Sequence, residues 1–325
     1  RPDTDNFLHV RMGSTAQALC LTLDPAETPP LAQLDPIAAS GLHRLLSTHA
    51  VQPSLPASVA LPAWARIEVT GEAGPSRALA RAMVAHAALM HSPDDLVIAA
   101  LVTRESRGEW DWLKWLPHAM SHREKDALGP ARMVSDSLSE LMQWLPDDLA
   151  ERPRFGPGTA PTPHVLLIVD GGRVPTGHPV LSGDGAMGVT VLDLPEQWGE
   201  LTSSHVLRLA VGSEPVGSPD TVGLDIISMA RPPGSGTADQ LSVVEAEAAA
   251  RRLTPLFSGG EVEGPRDNLS SSNDLLELLN LGDVRDYNPD LAWRPRLQRD
   301  RLRVPIGIGE EGQPIALDIK ESAQQ

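Results

Sequence analysis

The chain has 325 residues, 41% of them hydrophobic, which is enough to bury one large core or two ordinary ones and excludes disorder as its default state. Its 43 acidic residues against 27 basic ones give a formal charge of −16, which repels phosphate backbones and anionic headgroups and argues against nucleic acid as a direct partner. Cys20 is the single cysteine, so an internal disulfide or a cysteine metal cluster built from one chain is excluded, and no apolar run reaches the about 18–20 residues of a bilayer span.

In chain order, residues 7–12 alternate in the manner of a short strand that stops at Gly13. Asp35 and Pro36 open a helix through Leu45. Residues 64–69 read as a strand, 70–77 as a glycine-bearing turn and 77–91 as a helix, which is the start of a βαβ unit. The apolar runs 96–102 and 164–170 suit strands buried on both faces, and 135–151 carries the stripe of a helix. Shorter strands are expected at 189–192, 206–209 and 222–227, then a helix over 241–253 capped by Ser242 or Asp239. Residues 257–273 are rich in glycine, serine and charge and mark a boundary; 275–281 reads as a short helix and 302–318 as a hairpin turning near Glu310. The sum is a mostly parallel sheet flanked by helices, followed by a strand-rich half.

Two pieces sit where a nucleotide-binding α/β domain needs them. The turn holding Gly71, Gly74, Ser76 and Arg77 lies between strand and helix, where backbone N–H groups can wrap phosphates. Arg77 is the candidate for a phosphate contact and Ser76 for a metal. The turn nevertheless lacks the full glycine spacing and a lysine, Pro75 removes an N–H, and Glu72 opposes both roles. Asp170 ends an apolar strand, where such folds hold magnesium, but Gly171 follows where an active enzyme carries a water-activating glutamate. The bland alternatives are a plain strand-to-helix turn and an aspartate that caps a loop. His118 and His122 are four apart but follow Pro117, which breaks the helix a metal pair would need. Trp110, Trp112 and Trp115 form either packing or a protein-contact patch; on an acidic chain base stacking is disfavoured.

The phrases FLHVRMG (7–13), HSPDDL (91–96), WDWLKWLPH (110–118), ALGPAR (127–132) and AERPRF (150–155) resemble the EccC component of ESX, or type VII, secretion systems, as do WRPR (293–296), RVPIGIG (303–309) and LDIKESA (317–323). The resemblance implies a membrane-anchored ATPase of the FtsK/SpoIIIE class at the cytoplasmic face of the bacterial inner membrane. It implies that residues 1–282 are a RecA/P-loop-NTPase-like domain with degenerate motifs, between the transmembrane helices and the first full ATPase domain. Residues 283–325 would be a linker and the leading strands of that ATPase domain, cut before its Walker A loop. The missing initiator methionine fits a piece of a longer protein. Implied partners are EccD, EccB, EccE, further EccC copies and, through the whole protein, secreted WXG100-type substrates. Two roles follow: a coupling domain that binds no cofactor, or ATP and magnesium only weakly, and an active fourth nucleotide-hydrolysing domain. DNA translocation, as in the wider class, conflicts with the charge.

Overall fold

The computed structural model describes residues 4, 6–21, 35–127, 129–171, 178, 185–215, 221–256, 279, 281, 283–292, 295, 297, 301–308 and 314–319. It divides into two compact units, Arg1–Gly260 and Glu261–Gln325. That division lies upstream of the expected boundary at 282, and the expected linker 257–273 and most of the helix at 275–281 lie outside the described residues.

The first unit is built on one ten-stranded mixed sheet. Its elements are β1 (His9–Ala18), α1 (Pro36–His49), β2 (Val51–Ala60), β3 (Arg66–Gly71), α2 (Ala73–Met90), β4 (Leu96–Val102) and α3 (Arg107–Trp110). There follow β5 (Met120–Asp126), β6 (Gly129–Arg132), β7 (Val134–Ser135), α4 (Leu138–Trp144), β8 (His164–Asp170), β9 (Val189–Leu194), β10 (Val206–Pro215), β11 (Val222–Ser228), β12 (Gly234–Ala238) and α5 (Val243–Leu253). The sheet runs β2-β1-β12-β11-β10-β3-β9-β8-β4-β7, and β5 and β6 pair separately. Every pairing from β10 to β7 is parallel, and every pairing from β2 to β10 is antiparallel. The expected α/β class is therefore present, and its strand-rich half continues the same sheet. The strands ending near Val69, Val102 and Val169 are all parallel members, but β9 separates β3 from β8.

Period-two alternation explains why β4 and β8 read as continuous apolar runs. Leu96, Ile98, Ala100 and Val102 join a core with Leu166 and Ile168, covered by α2 and α5. Val97, Ala99 and Leu101 join Val165, Leu167, Val169 and Leu141 of α4 on the opposite face. β3 differs: Ile67 and Val69 enter the first core, while on the other face Glu68 pairs with Arg208 at 2.7 Å and Arg66 with Asp193. Burial raises the Asp193 carboxyl above its usual range, against the pull of Arg66.

Three expectations need correction. Gly13 does not end β1, because a Cβ there would lie 2.0 Å from the Thr237 carbonyl oxygen; the glycine lets β1 approach β12 closely. The helix expected over 135–151 stops at Trp144 and resumes as a 3₁₀ turn, Asp147–Ala150, because Pro146 has no N–H and forces Leu145 to extended backbone. The turn expected over 70–77 is strand to Gly71 and helix from Ala73, with Glu72 alone between them. Helix α5 begins on a full capping box between Ser242 and Glu245.

In the second unit β13 (Arg303–Ile308) pairs antiparallel with β14 (Pro314–Asp318), giving the expected hairpin, whose turn lies outside the described residues. Among the described residues no helix is long and apolar enough to cross a membrane.

Candidate functional site

The C-terminal edge of the parallel strands is where α/β sheets of this kind bind ligands. β3 ends there at Gly71 and α2 starts at Ala73, so a single residue, Glu72, connects them. Gly71 has φ of +124°, and a Cβ on it would lie 2.2 Å from the Val211 carbonyl oxygen. Its glycine character thus serves the contact with β10. Gly74 lies inside α2, and a Cβ there would meet nothing within 4 Å. Pro75 sits in the first helical turn, where a missing N–H is tolerated, and the Ser76 N–H bonds to the Glu72 carbonyl at 3.0 Å. The first-turn N–H groups of Ala73 and Gly74 have no partner within the helix, and Pro75 supplies none.

Asp170, at the end of β8, is 4% exposed. Arg77 reaches it from α2 in a two-pronged pair: Nε donates to Oδ2 at 2.8 Å and Nη2 donates to Oδ1 at 3.0 Å. The Trp110 indole Nε1 also donates to Oδ2, at 2.7 Å. Its backbone carbonyl accepts from Ser106 Oγ at 2.8 Å and from the Thr103 N–H at 3.3 Å. The hydrogen bond to Asp170 raises the Arg77 guanidinium further above its usual range, against the cost of burial. One turn on, Arg81 pairs with Glu109 at 2.5 Å and donates to the Leu241 carbonyl at 2.9 Å; burial outweighs the pair and lowers its pKa. A cavity of about 470 Å³ lies beside the pair, lined among others by Gly71, Ser76, Arg77, Glu105, Asp170 and Glu196.

Gly71, Ser76, Arg77 and Asp170 line one cavity, whereas Gly74 does not. Arg77 does not hold itself ready for a phosphate; it is bound to Asp170. The tryptophans divide. Trp110 is fully buried and Trp112 nearly so, both within the core shared with α2 and α5, so neither presents a surface to a partner and the contact-patch reading is corrected for both. The cause is the 3₁₀ turn Asp111–Trp115, which continues directly from α3 and packs on α5. Trp115 is half-buried, stacked with Arg251 at 4.0 Å and donating to Glu247 Oε1 at 3.2 Å. Sequence reasoning missed the tie from Trp110 to Asp170 and the acids Glu105 and Glu196. Trp110 and Asp170 lie far apart in sequence, and no local pattern joins them.

Sheet order and flanking helices define an α/β domain whose parallel strands are buried on both faces, with an acid at the end of β8. Along its whole length the chain is homologous to EccC proteins of ESX secretion systems. It is 39% identical over 327 residues to the ESX secretion system protein EccC of Thermomonospora curvata, covering 100% of this chain and 24% of that protein. It is 32% identical over 327 residues to the ESX-4 secretion system protein EccC4 of Mycobacterium tuberculosis, covering 100% and 23%. The chain thus spans about a quarter of the length of these relatives. A solved structure of Thermomonospora curvata EccC, ATPases 2 and 3 with a signal sequence peptide, aligns with a TM-score of 0.44 at 15% identity, covering 98% of this chain and 57% of that one. No family model matches the chain.

Proposed function

We propose that this segment is a coupling domain of the type VII secretion motor that does not hydrolyse ATP and links the membrane pore to the ATPase stack. The observation that carries the reading is the Arg77–Asp170 pair. A magnesium ion needs the carboxylate oxygens of the strand-end acid, and here both accept from Arg77 while one also accepts from Trp110. A triphosphate needs a loop of N–H groups, and one residue connects β3 to α2. These residues do not fit a magnesium–nucleotide group, and Arg77 supplies within the chain the positive charge that such a group would bring. The same reading takes the working surface as protein-facing, toward EccD, EccB, EccE and neighbouring EccC copies, at the cytoplasmic face of the bacterial inner membrane.

The test combines thermal melting with and without Mg-ATP and phosphate release with an Asp170→Ala control. The expected result is no ligand-dependent rise in Tm and no release that the control abolishes, since a ligand bound to the native state must stabilise it. Turnover of about one per second or more, typical of phosphoryl-transfer enzymes and lost on Asp170→Ala, makes this an active nucleotidase instead.

A further inference from the structure

We propose that the cavity beside Arg77 and Asp170 takes a basic side chain, guanidinium or ammonium, presented by a polypeptide partner, where related folds take a phosphate. The inference rests on the reading that a nucleotide does not occupy this place. Three carboxylates, Asp170, Glu105 and Glu196, line the cavity against one guanidinium, Arg77. Arg77 is matched by Asp170, and among the described residues neither Glu105 nor Glu196 forms a close ion pair, although the charge of Arg104 acts on Glu105 from farther away. The N-terminus of α2 offsets at most about half a unit charge. A phosphate is repelled by this arrangement and a cation is drawn in.

The second observation is a buried hydroxyl. Ser76 is 3% exposed, lines the same cavity, and its Oγ has no hydrogen-bond partner. A buried polar atom without a partner is costly, and an N–H donor inside the cavity removes that cost. Glu105 is suited to the other end of the same ligand: its own backbone N–H and Thr103 hold the carboxyl below its usual range, so it is ionised at neutral pH. A guanidinium offers several N–H donors in one plane, enough to serve a carboxylate and a hydroxyl together.

The test uses the ¹⁵N-labelled 325-residue chain and follows its indole N–H resonances. The Trp110 indole bonds directly to Asp170 and reports on the site, while the other six tryptophans serve as controls. The probes are N-acetyl-arginine amide, its uncharged counterpart N-acetyl-norleucine amide, and Mg-ATP. A saturable shift of the Trp110 resonance is expected with the arginine probe and none with norleucine. The double substitution Glu105→Gln with Glu196→Gln should weaken binding at least tenfold without disturbing the fold, because both side chains are at the surface. Ser76→Ala should weaken it several-fold. Absence of a shift, an equal response to norleucine, or unchanged binding in the double variant overturns the inference and leaves the coupling reading standing. A saturable shift with Mg-ATP that the arginine probe does not displace overturns both.

Discussion

A double-mutant cycle across Arg77 and Asp170 tests the closed site most directly. Arg77→Met keeps the helical stem and removes the charge, leaving a nearly buried carboxylate with only the Trp110 N–H. Removing one partner of a fully buried pair costs about 3–5 kcal/mol. The Arg77 side chain retains 27% exposure, so water repays part of that loss and about 2–3 kcal/mol is the appropriate figure. Asp170→Asn keeps an acceptor for Trp110 but withdraws the charge from two arginine donors, again about 2–3 kcal/mol. The double variant removes both charges together and should lose only about 2 kcal/mol, because neither is left alone, so the coupling energy is about 2 kcal/mol or more. Urea unfolding measures each corner. In melting, each kcal/mol is worth about 2–4 °C in a domain of this size. Losses that add to within about 0.5 kcal/mol would show that the two side chains do not support one another, and the argument for a closed site would fail with them.

Two further outcomes follow from the same strands. Gly71→Ala places a methyl group 2.2 Å from the Val211 carbonyl oxygen at a φ of +124°, so β3 and β10 must part; the urea midpoint should fall by the equivalent of about 3 kcal/mol or more, whereas Gly74→Ala, with open space around it and a helical backbone, should be neutral or stabilising by up to about 1 kcal/mol. His164 is fully buried, and desolvation, aided by the Arg152 charge, pushes it down to about 3 from a usual 6.5. As pH falls from about 6.5 toward 3, the unfolded chain takes up a proton that the native state refuses, so stability should drop by about 1.4 kcal/mol per pH unit. His164→Gln should flatten that acid limb, as read from urea midpoints between about pH 4 and 6, and an unchanged slope would refute the assignment.

The parallel part of the sheet was legible because burial on both faces leaves its mark in every residue of β4 and β8. The antiparallel part was much less so. β2 carries Pro53 and Pro56 and lies at the sheet edge, where a missing N–H does no harm, yet proline in a sequence reads as loop. β12 is mostly small residues, and a Cβ on its Gly236 would lie 2.0 Å from the Ser14 carbonyl oxygen, a constraint visible only once β1 lies beside it. The tryptophan phrase misled for a related reason: surface charge describes the chain as a whole, whereas the fate of Trp110 depends on Asp170, which arrives from a distant strand.

Residues 71–77 show most clearly how composition and geometry part. They contain two glycines, a serine and a basic residue between a strand and a helix, the residue types that a phosphate loop uses. The fold assigns each of them elsewhere. Gly71 accommodates a neighbouring carbonyl, Gly74 and Pro75 are absorbed into the first turn of α2, Ser76 is buried, and Arg77 bonds to Asp170. A phosphate loop needs free backbone between strand and helix, and starting α2 at Ala73 consumes that backbone as helix. A one-dimensional motif records which residues are present. The count of residues left outside regular structure, here only Glu72, decides whether their N–H groups can turn toward a ligand. The chemistry left at this edge is therefore that of its side chains, a matched pair beside unmatched carboxylates and a hydroxyl without a donor, and such a set answers to a cation.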